Sequence, residues 1–302
     1  MAEKDAVYQI IADRIDSALA AGVAPWRKAW KTDGLSASNL FSKHAYSGVN
    51  VWLLAAWSMT RPEGAPAPFY ATFNQVRAKG GHVKKGEKGI PVVFWRFLKR
   101  EDKDTGKEVK IPLLRYYTVF NVEAQTEGLE KFLPVKVAQG TVSAEAKHEA
   151  AEAICARYEG GEAGPKVLER QSERAYYQHN TDTVVIPLRS QYDDLAEFYA
   201  VRFHEDVHST GHDTRLNRGL KNGFGSEAYG REELAAEMGA AFLLGACGLD
   251  GSQTIENAAA YIAGWRSKIK SDPRCLVVAA GAAQKAVNLI LGVVPEEKGE
   301  ED

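Results

Sequence analysis

A chain of 302 residues with 45% hydrophobic content is long enough to bury the cores of two modest domains and is too apolar for a disordered polymer. Its three cysteines, Cys155, Cys247 and Cys275, lie far apart, which argues against a disulfide framework or a cysteine zinc site and fits a reducing cytoplasm. The start MAEKDAVYQI lacks a signal-peptide core and no run of about 18 apolar residues occurs, so neither secretion nor a membrane partner is expected.

The net charge of −2 hides an asymmetry. Residues 1–130 carry 19 Lys+Arg against 14 Asp+Glu, and the remainder carries 19 against 26. Within Gln75 to Lys110 there are 11 basic and 5 acidic residues, so a polyanion is the partner to expect for this half.

In chain order, AVYQIIADRIDSALAAG spaces Val7, Ile10, Ile11, Ile15 and Leu19 as an amphipathic helix that stops at Gly22. VAPWRKAW breaks at Pro25, NVWLLAAWSM reads as a buried helix, and RPEGAPAP as a turn-rich loop. FNQVRAKGGHVKKGEKG predicts a short helix ended by Gly80 and Gly81, then a tight basic turn. The β-branched and aromatic runs IPVVFWRFL and LRYYTVFNVEA predict strands joined by the charged EDKDTGKEVK.

Around residues 128–144 the composition turns alanine-rich and acidic, which predicts a linker between domains at 1–130 and 131–302. AEAKHEAAEAICARY then reads as a helix, and ERAYYQHNTDTVVIP as two short strands around an Asn-Thr-Asp turn. LRSQYDDLAEFYAVRFHEDVHSTG predicts one long helix started by Ser190, and SEAYGREELAAEMGAAFLLGACG another. One or two helices follow over 258–291, and the acidic EEKGEED end is expected to be disordered. The fold class is α+β, a mixed α/β domain followed by a mainly helical one.

The stretch FHEDVHSTGH carries the sharpest chemistry. His204 and His208 are four residues apart, so on a helix both reach one ion, and Glu205, about 100° around, can act as general base. A catalytic zinc commonly takes three protein ligands. His212 is one candidate for the third; the longer pattern with a third histidine ten residues after the first fails, because Thr214 stands there. REELAAEMGAAFL offers a carboxylate instead. Glu233 is the first choice, with Glu237 as an acceptor orienting a ligand histidine, and Glu237 and Glu232 as alternative ligands. Zn²⁺ is the expected metal, with Mn²⁺ or Co²⁺ also compatible with such a donor set. Asp206 places a charge inside the motif, where zinc proteases usually have uncharged residues, and so counts against an active peptidase site.

In the basic half, Trp26, Arg27, Lys28 and Trp30 of PWRKAW, with Lys84, Lys85 and Lys88 of the Gly-rich turn, combine stacking rings and cations. That combination suits single-stranded DNA.

IADRIDSALAAGVAPWRKAW, AYSGVNVWLL, ATFNQVRAKGGHVKKGEKG and YYTVFNVEAQTEGL resemble the ArdC-type plasmid antirestriction family, as do AYYQHNTDTVVIP, FHEDVHSTGHDTRLNR and YGREELAAEMGAAFL. The resemblance implies an N-terminal single-stranded-DNA-binding domain shared with plasmid primases and a C-terminal zincin-like metallopeptidase domain. It also implies protection of conjugating plasmid DNA from host restriction, with restriction enzymes or other proteins as partners and possible transfer to the recipient cell. His204, Glu205 and His208 carry over as ligand, base and ligand, and Glu233 as third ligand. The family usually has an apolar residue where this chain has Asp206, a departure that bears on peptide cleavage more than on metal binding.

Overall fold

The structure, a computed structural model, describes residues 2–26, 37–64, 66–101, 108–134, 142–161, 164–219, 227–249 and 258–294. The chain divides into two compact units. The first comprises Met1–Pro25, Leu35–Val137 and Asn257–Arg274; the second comprises Trp26–Gly34, Ala138–Glu256 and Cys275–Asp302.

The first unit opens with α1 (Ala2–Ala20), which buries Val7, Ile11, Ile15 and Leu19 at four-residue spacing and ends near Gly22 at φ 79°. β1 (Ser38–Asn39) and α2 (Val49–Met59) follow; α2 buries Trp52, Leu53, Leu54 and Ala55. β2 (Phe69–Thr72) leads into α3 (Phe73–Ala78), started by a reciprocal cap in which Thr72 and Gln75 exchange side-chain and backbone hydrogen bonds. The basic turn leaves α3 through Gly80 at φ 80°, and at Gly81 a side chain would collide with Leu129, 2.6 Å away. β3 (His82–Val83) pairs antiparallel with β6 (Thr126–Glu127), which follows the short α4 (Val122–Gln125).

The two predicted strands are longer than their apolar cores. β4 (Ile90–Glu101) and β5 (Glu108–Asn121) pair antiparallel from Ile90↔Val119 to Glu101↔Glu108, and the sheet order is β1-β2-β5-β4. Residues 102–107 of the expected connection lie outside the described residues.

The second unit holds α5 (Ala144–Glu159), capped by Ser143, and a three-stranded sheet of β7 (Lys166–Arg170), β8 (Tyr176–Gln178) and β9 (Thr183–Pro187). β9 lies between β7, parallel to it, and β8, antiparallel, and is buried along its whole length. The predicted turn has Asp182 in the left-handed region at φ 46°. β7 carried no clear signal, since only Val167 and Leu168 of its five residues are apolar and most of the strand is exposed.

α6 (Leu195–Ser209) is shorter than expected. Ser190 sits in a 3-10 turn, Arg189–Gln191, and the helix starts where the Asp194 carboxylate accepts the Ala196 N–H at 2.9 Å. α7 (Glu227–Cys247) packs on α6 and on α9 (Cys275–Leu291) around Phe198, Tyr199, Phe203, Val207, Leu243 and Ile290. α8 (Ala258–Ser271) belongs with the first unit, where Arg266 pairs with Asp16 of α1 at 2.7 Å. The second unit is therefore not one uninterrupted run from residue 131. The cysteines are free and buried, and among the described residues no single helix is long and apolar enough to cross a membrane. The acidic end lies outside the described residues.

Candidate metal centre

α6 presents His204 and His208 one turn apart, and α7 brings Glu233 against them. The helices approach closely because residue 239 is glycine: a β-carbon there would lie 2.6 Å from Val207 Cγ2. His204 Nε2 and His208 Nε2 are 3.1 Å apart, and Glu233 places one oxygen 3.7 Å from the first and the other 3.6 Å from the second. Tetrahedral bonds of roughly 2.0–2.1 Å put neighbouring donors about 3.3 Å apart, so the three residues, each offering one atom, fit one small divalent cation. No other group of three or more His, Cys, Asp or Glu donors meets this condition among the described residues.

The arrangement is held from behind. His208 Nδ1 lies 3.2 Å from Glu232 Oε1, and a carboxylate can only accept, so His208 carries its proton on Nδ1 and keeps the Nε2 lone pair for a metal. Arg218 in turn donates to Glu232 Oε2 at 2.9 Å and Oε1 at 2.7 Å, and to Thr210 Oγ1 and the Val207 carbonyl at 2.6 and 2.7 Å. Burial alone would raise the Glu232 carboxyl; the bonds from Arg218 and His208 outweigh it and bring it down to about 2. Glu233 follows the same pattern: burial raises it, and the adjacent histidines more than reverse that. Burial would lower His204, but the neighbouring carboxylates of Glu233, Glu205 and Glu237 raise it.

The sequence-predicted residues divide accordingly. Glu205 is buried, 9% exposed, and its charge acts on His204 and on Tyr229, one turn before Glu233. Glu232, read from the sequence as an alternative ligand, meets His208 Nδ1, and the charge of Glu237, the expected acceptor, bears on His204. His212 is elsewhere, its Nδ1 2.8 Å from Thr214 Oγ1 and its ring 4.9 Å from that of His179.

Asp206 is fully buried and accepts from Arg202 Nε at 2.9 and 3.0 Å, while Arg202 also pairs with Glu159. Burial pushes its carboxyl up to about 6 despite the guanidinium. The charge inside the motif is thus half of a buried ion pair. Arg215 completes the frame: it donates to the Ser209 carbonyl at 2.8 Å and to Asp182 at 2.9 Å, tying the end of α6 to the β8–β9 turn. These arginines escaped sequence reasoning because only the folded chain sets them beside their partners.

In the basic half, Trp26 is 2% exposed, so its ring offers no face to a base and that expectation is corrected. Arg27, Lys28 and Trp30 lie outside the described residues. Lys84 Nζ donates to the Ala124 carbonyl at 2.9 Å and braces the turn, while Lys85 and Lys88 are exposed.

A helix-borne pair of histidines, a glutamate from the next helix and a buried glutamate beside the first histidine define a zincin-like domain, here joined to a mixed α/β domain. Residues 150–282 match the family profile of zincin-like metallopeptidases, and residues 5–120 match the N-terminal domain of the anti-restriction factor ArdC. Crystal structures of the antirestriction protein ArdC from plasmid R388, metal-free and Mn(II)-bound, superpose with a TM-score of 0.70 each. They are 33% and 31% identical, covering 94% of this chain and 96% and 97% of theirs. The chain belongs to the ArdC-type antirestriction family. It is also 34% and 31% identical to two DNA primases TraC of Escherichia coli over 96% of its length, but spans only 28% and 20% of them. The uncharacterized protein y4eC of Sinorhizobium fredii is 33% identical and covered to 89%.

Proposed function

We propose that this protein binds single-stranded DNA through its first unit, carries a zinc-metallopeptidase-type site in its second, and protects conjugating plasmid DNA from host restriction. The observation that carries the reading is the fit of His204, His208 and Glu233 to one cation beside Glu205, in a chain of the ArdC family. When bound, a Zn²⁺ ion, or the Mn²⁺ carried by the R388 relative, supplies Lewis-acid polarisation of a carbonyl. His204, His208 and Glu233 hold it. Glu205 takes a proton from an attacking water and returns it to the departing amine. Glu232 and Arg218 keep the His208 ring in its productive tautomer.

A second reading keeps the DNA shield but makes the metal structural. It is favoured by the origin of the donors: they come from α6 and α7, so one ion cross-links two core helices. Glu205→Gln separates the two readings. It is expected to keep metal content and DNA affinity while abolishing peptide hydrolysis and reducing protection in a conjugation assay. Undiminished protection rejects catalysis as the mode of action.

A further inference from the structure

The first unit exposes two rings, Trp95 and Tyr116, on one face of its sheet, with Phe73 of α3 beside that face. Along β5, Tyr116, Thr118 and Phe120 alternate onto the same side, and the register sets Val93 opposite Tyr116, Pro91 opposite Thr118 and Trp95 opposite Leu114 on β4. A β-carbon at Gly89 would meet Thr118 Cβ at 2.8 Å and Phe120 Cζ at 3.2 Å, which places Gly89 on that same face. Core residues lie on both sides, Leu114, Val93 and Phe120 on the ring side and Ile90, Val92 and Val119 on the other, so the exposed part of the ring side is Trp95, Tyr116 and Thr118.

Trp95 is 48% exposed, Tyr116 47% and Phe73 47%, against the rule that large rings pack inward. The Phe73 ring lies 6.3 Å from that of Phe120, at the end of the row away from Trp95. Cations flank this end. The Arg77 guanidinium sits 5.9 Å over the Phe73 ring, and the exposed Lys88 immediately precedes Gly89. The edge is also rigid, because Asn50 of α2 exchanges two hydrogen bonds with the Val93 backbone at 2.7 and 2.8 Å.

Resting on the reading of this unit as a binder of single-stranded DNA, we infer that Trp95, Tyr116 and Phe73 form the stacking platform for its bases, with Arg77 and Lys88 on the phosphates. Trp95 and Tyr116 are diagonal neighbours across β4 and β5, a spacing of roughly 7–8 Å that lets each take its own base. Flanking cations supply the polyanion contacts. A duplex keeps its bases stacked internally and offers such rings nothing to cover. The platform takes the stacking role expected of the buried Trp26 and keeps Lys88 of the basic turn as a phosphate contact.

The test uses the full chain and dye-labelled oligothymidylate followed by fluorescence anisotropy. Trp95→Ala and Tyr116→Ala are each expected to raise Kd about tenfold, and Trp95→Phe and Tyr116→Phe to recover most of the loss. An unlabelled oligothymidylate competes and an equal mass of duplex does not. Circular dichroism, and metal content in the second unit, report whether each variant folds. If wild type binds and both alanine variants bind as tightly, or if duplex competes equally, the platform assignment is overturned. If folded wild type binds no oligothymidylate, the reading beneath it falls instead.

Discussion

Arg218→Ala separates bracing of the fold from tuning of the metal centre. Arg218 donates twice to Glu232, at 2.7 and 2.9 Å, and once each to Thr210 Oγ1 and the Val207 carbonyl. The two side chains are 12% and 16% exposed. Removing one partner of a buried ion pair costs about 3–5 kcal/mol, and the residual exposure here places the loss near ~3 kcal/mol. At roughly 2–4 °C per kcal/mol for a unit of this size, Tm falls by about 6–12 °C. The specific consequence is separate. Without the guanidinium, Glu232 no longer holds His208 Nδ1 in place, and affinity for Zn²⁺ or Mn²⁺ drops about 10–100-fold. Calorimetric melting together with competition against a chromophoric chelator measures both on the full chain. A variant that melts early yet binds metal as tightly as wild type refutes the positioning role and leaves Arg218 a structural brace.

Other changes have equally definite outcomes. Gly239→Ala drives a methyl group into Val207 and is expected to cost about 1–3 kcal/mol and weaken metal binding, with Val207→Ala in the same chain restoring part of both; unchanged melting contradicts the close approach of α6 and α7. Asp206→Ala strands the buried Arg202 charge and lowers stability by about 3–5 kcal/mol, while chelator titration at low temperature still finds one metal site per chain; loss of the site with the fold intact places Asp206 in the centre after all. Asp182→Asn addresses pH. Burial would raise the Asp182 carboxyl, but the bonds from Arg215 and Tyr177 hold it below the ordinary range, so its contribution is present above the unfolded value of about 3.9 and is lost as pH falls through the folded one. The Tm gap between wild type and Asp182→Asn is therefore constant near neutrality and narrows below about pH 4; a gap that widens in acid has the wrong sign.

Much of this architecture is legible in local pattern. The four-residue apolar stripe of α1, the alternating aromatic run of β4 and β5, and the histidine spacing on α6 each follow from one element's own periodicity. The paired carboxylates of Glu233 and Glu237, one turn apart, also announced a reason for charge on an otherwise apolar helix. Their division of labour did not follow from spacing. Whether Glu232 or Glu237 meets His208 depends on how α7 is rotated against α6, which Gly239 and Val207 settle in three dimensions. Asp206 misled for a related reason: an acidic residue beside a ligand histidine looks like a perturbation of the metal until Arg202, one turn back, is seen to bury with it. Taken alone, Trp26 reads more readily as core, and that is where the fold puts it, whereas the exposure of Trp95 and Tyr116 depends on which positions of the sheet the rest of the unit covers.

The central claim is a single metal held by His204, His208 and Glu233, and elemental analysis of purified wild type beside Glu233→Ala tests it most directly. The account predicts about one divalent metal per wild-type chain, and its loss from a Glu233→Ala variant whose circular dichroism shows it folded. Full metal content in that variant would contradict it.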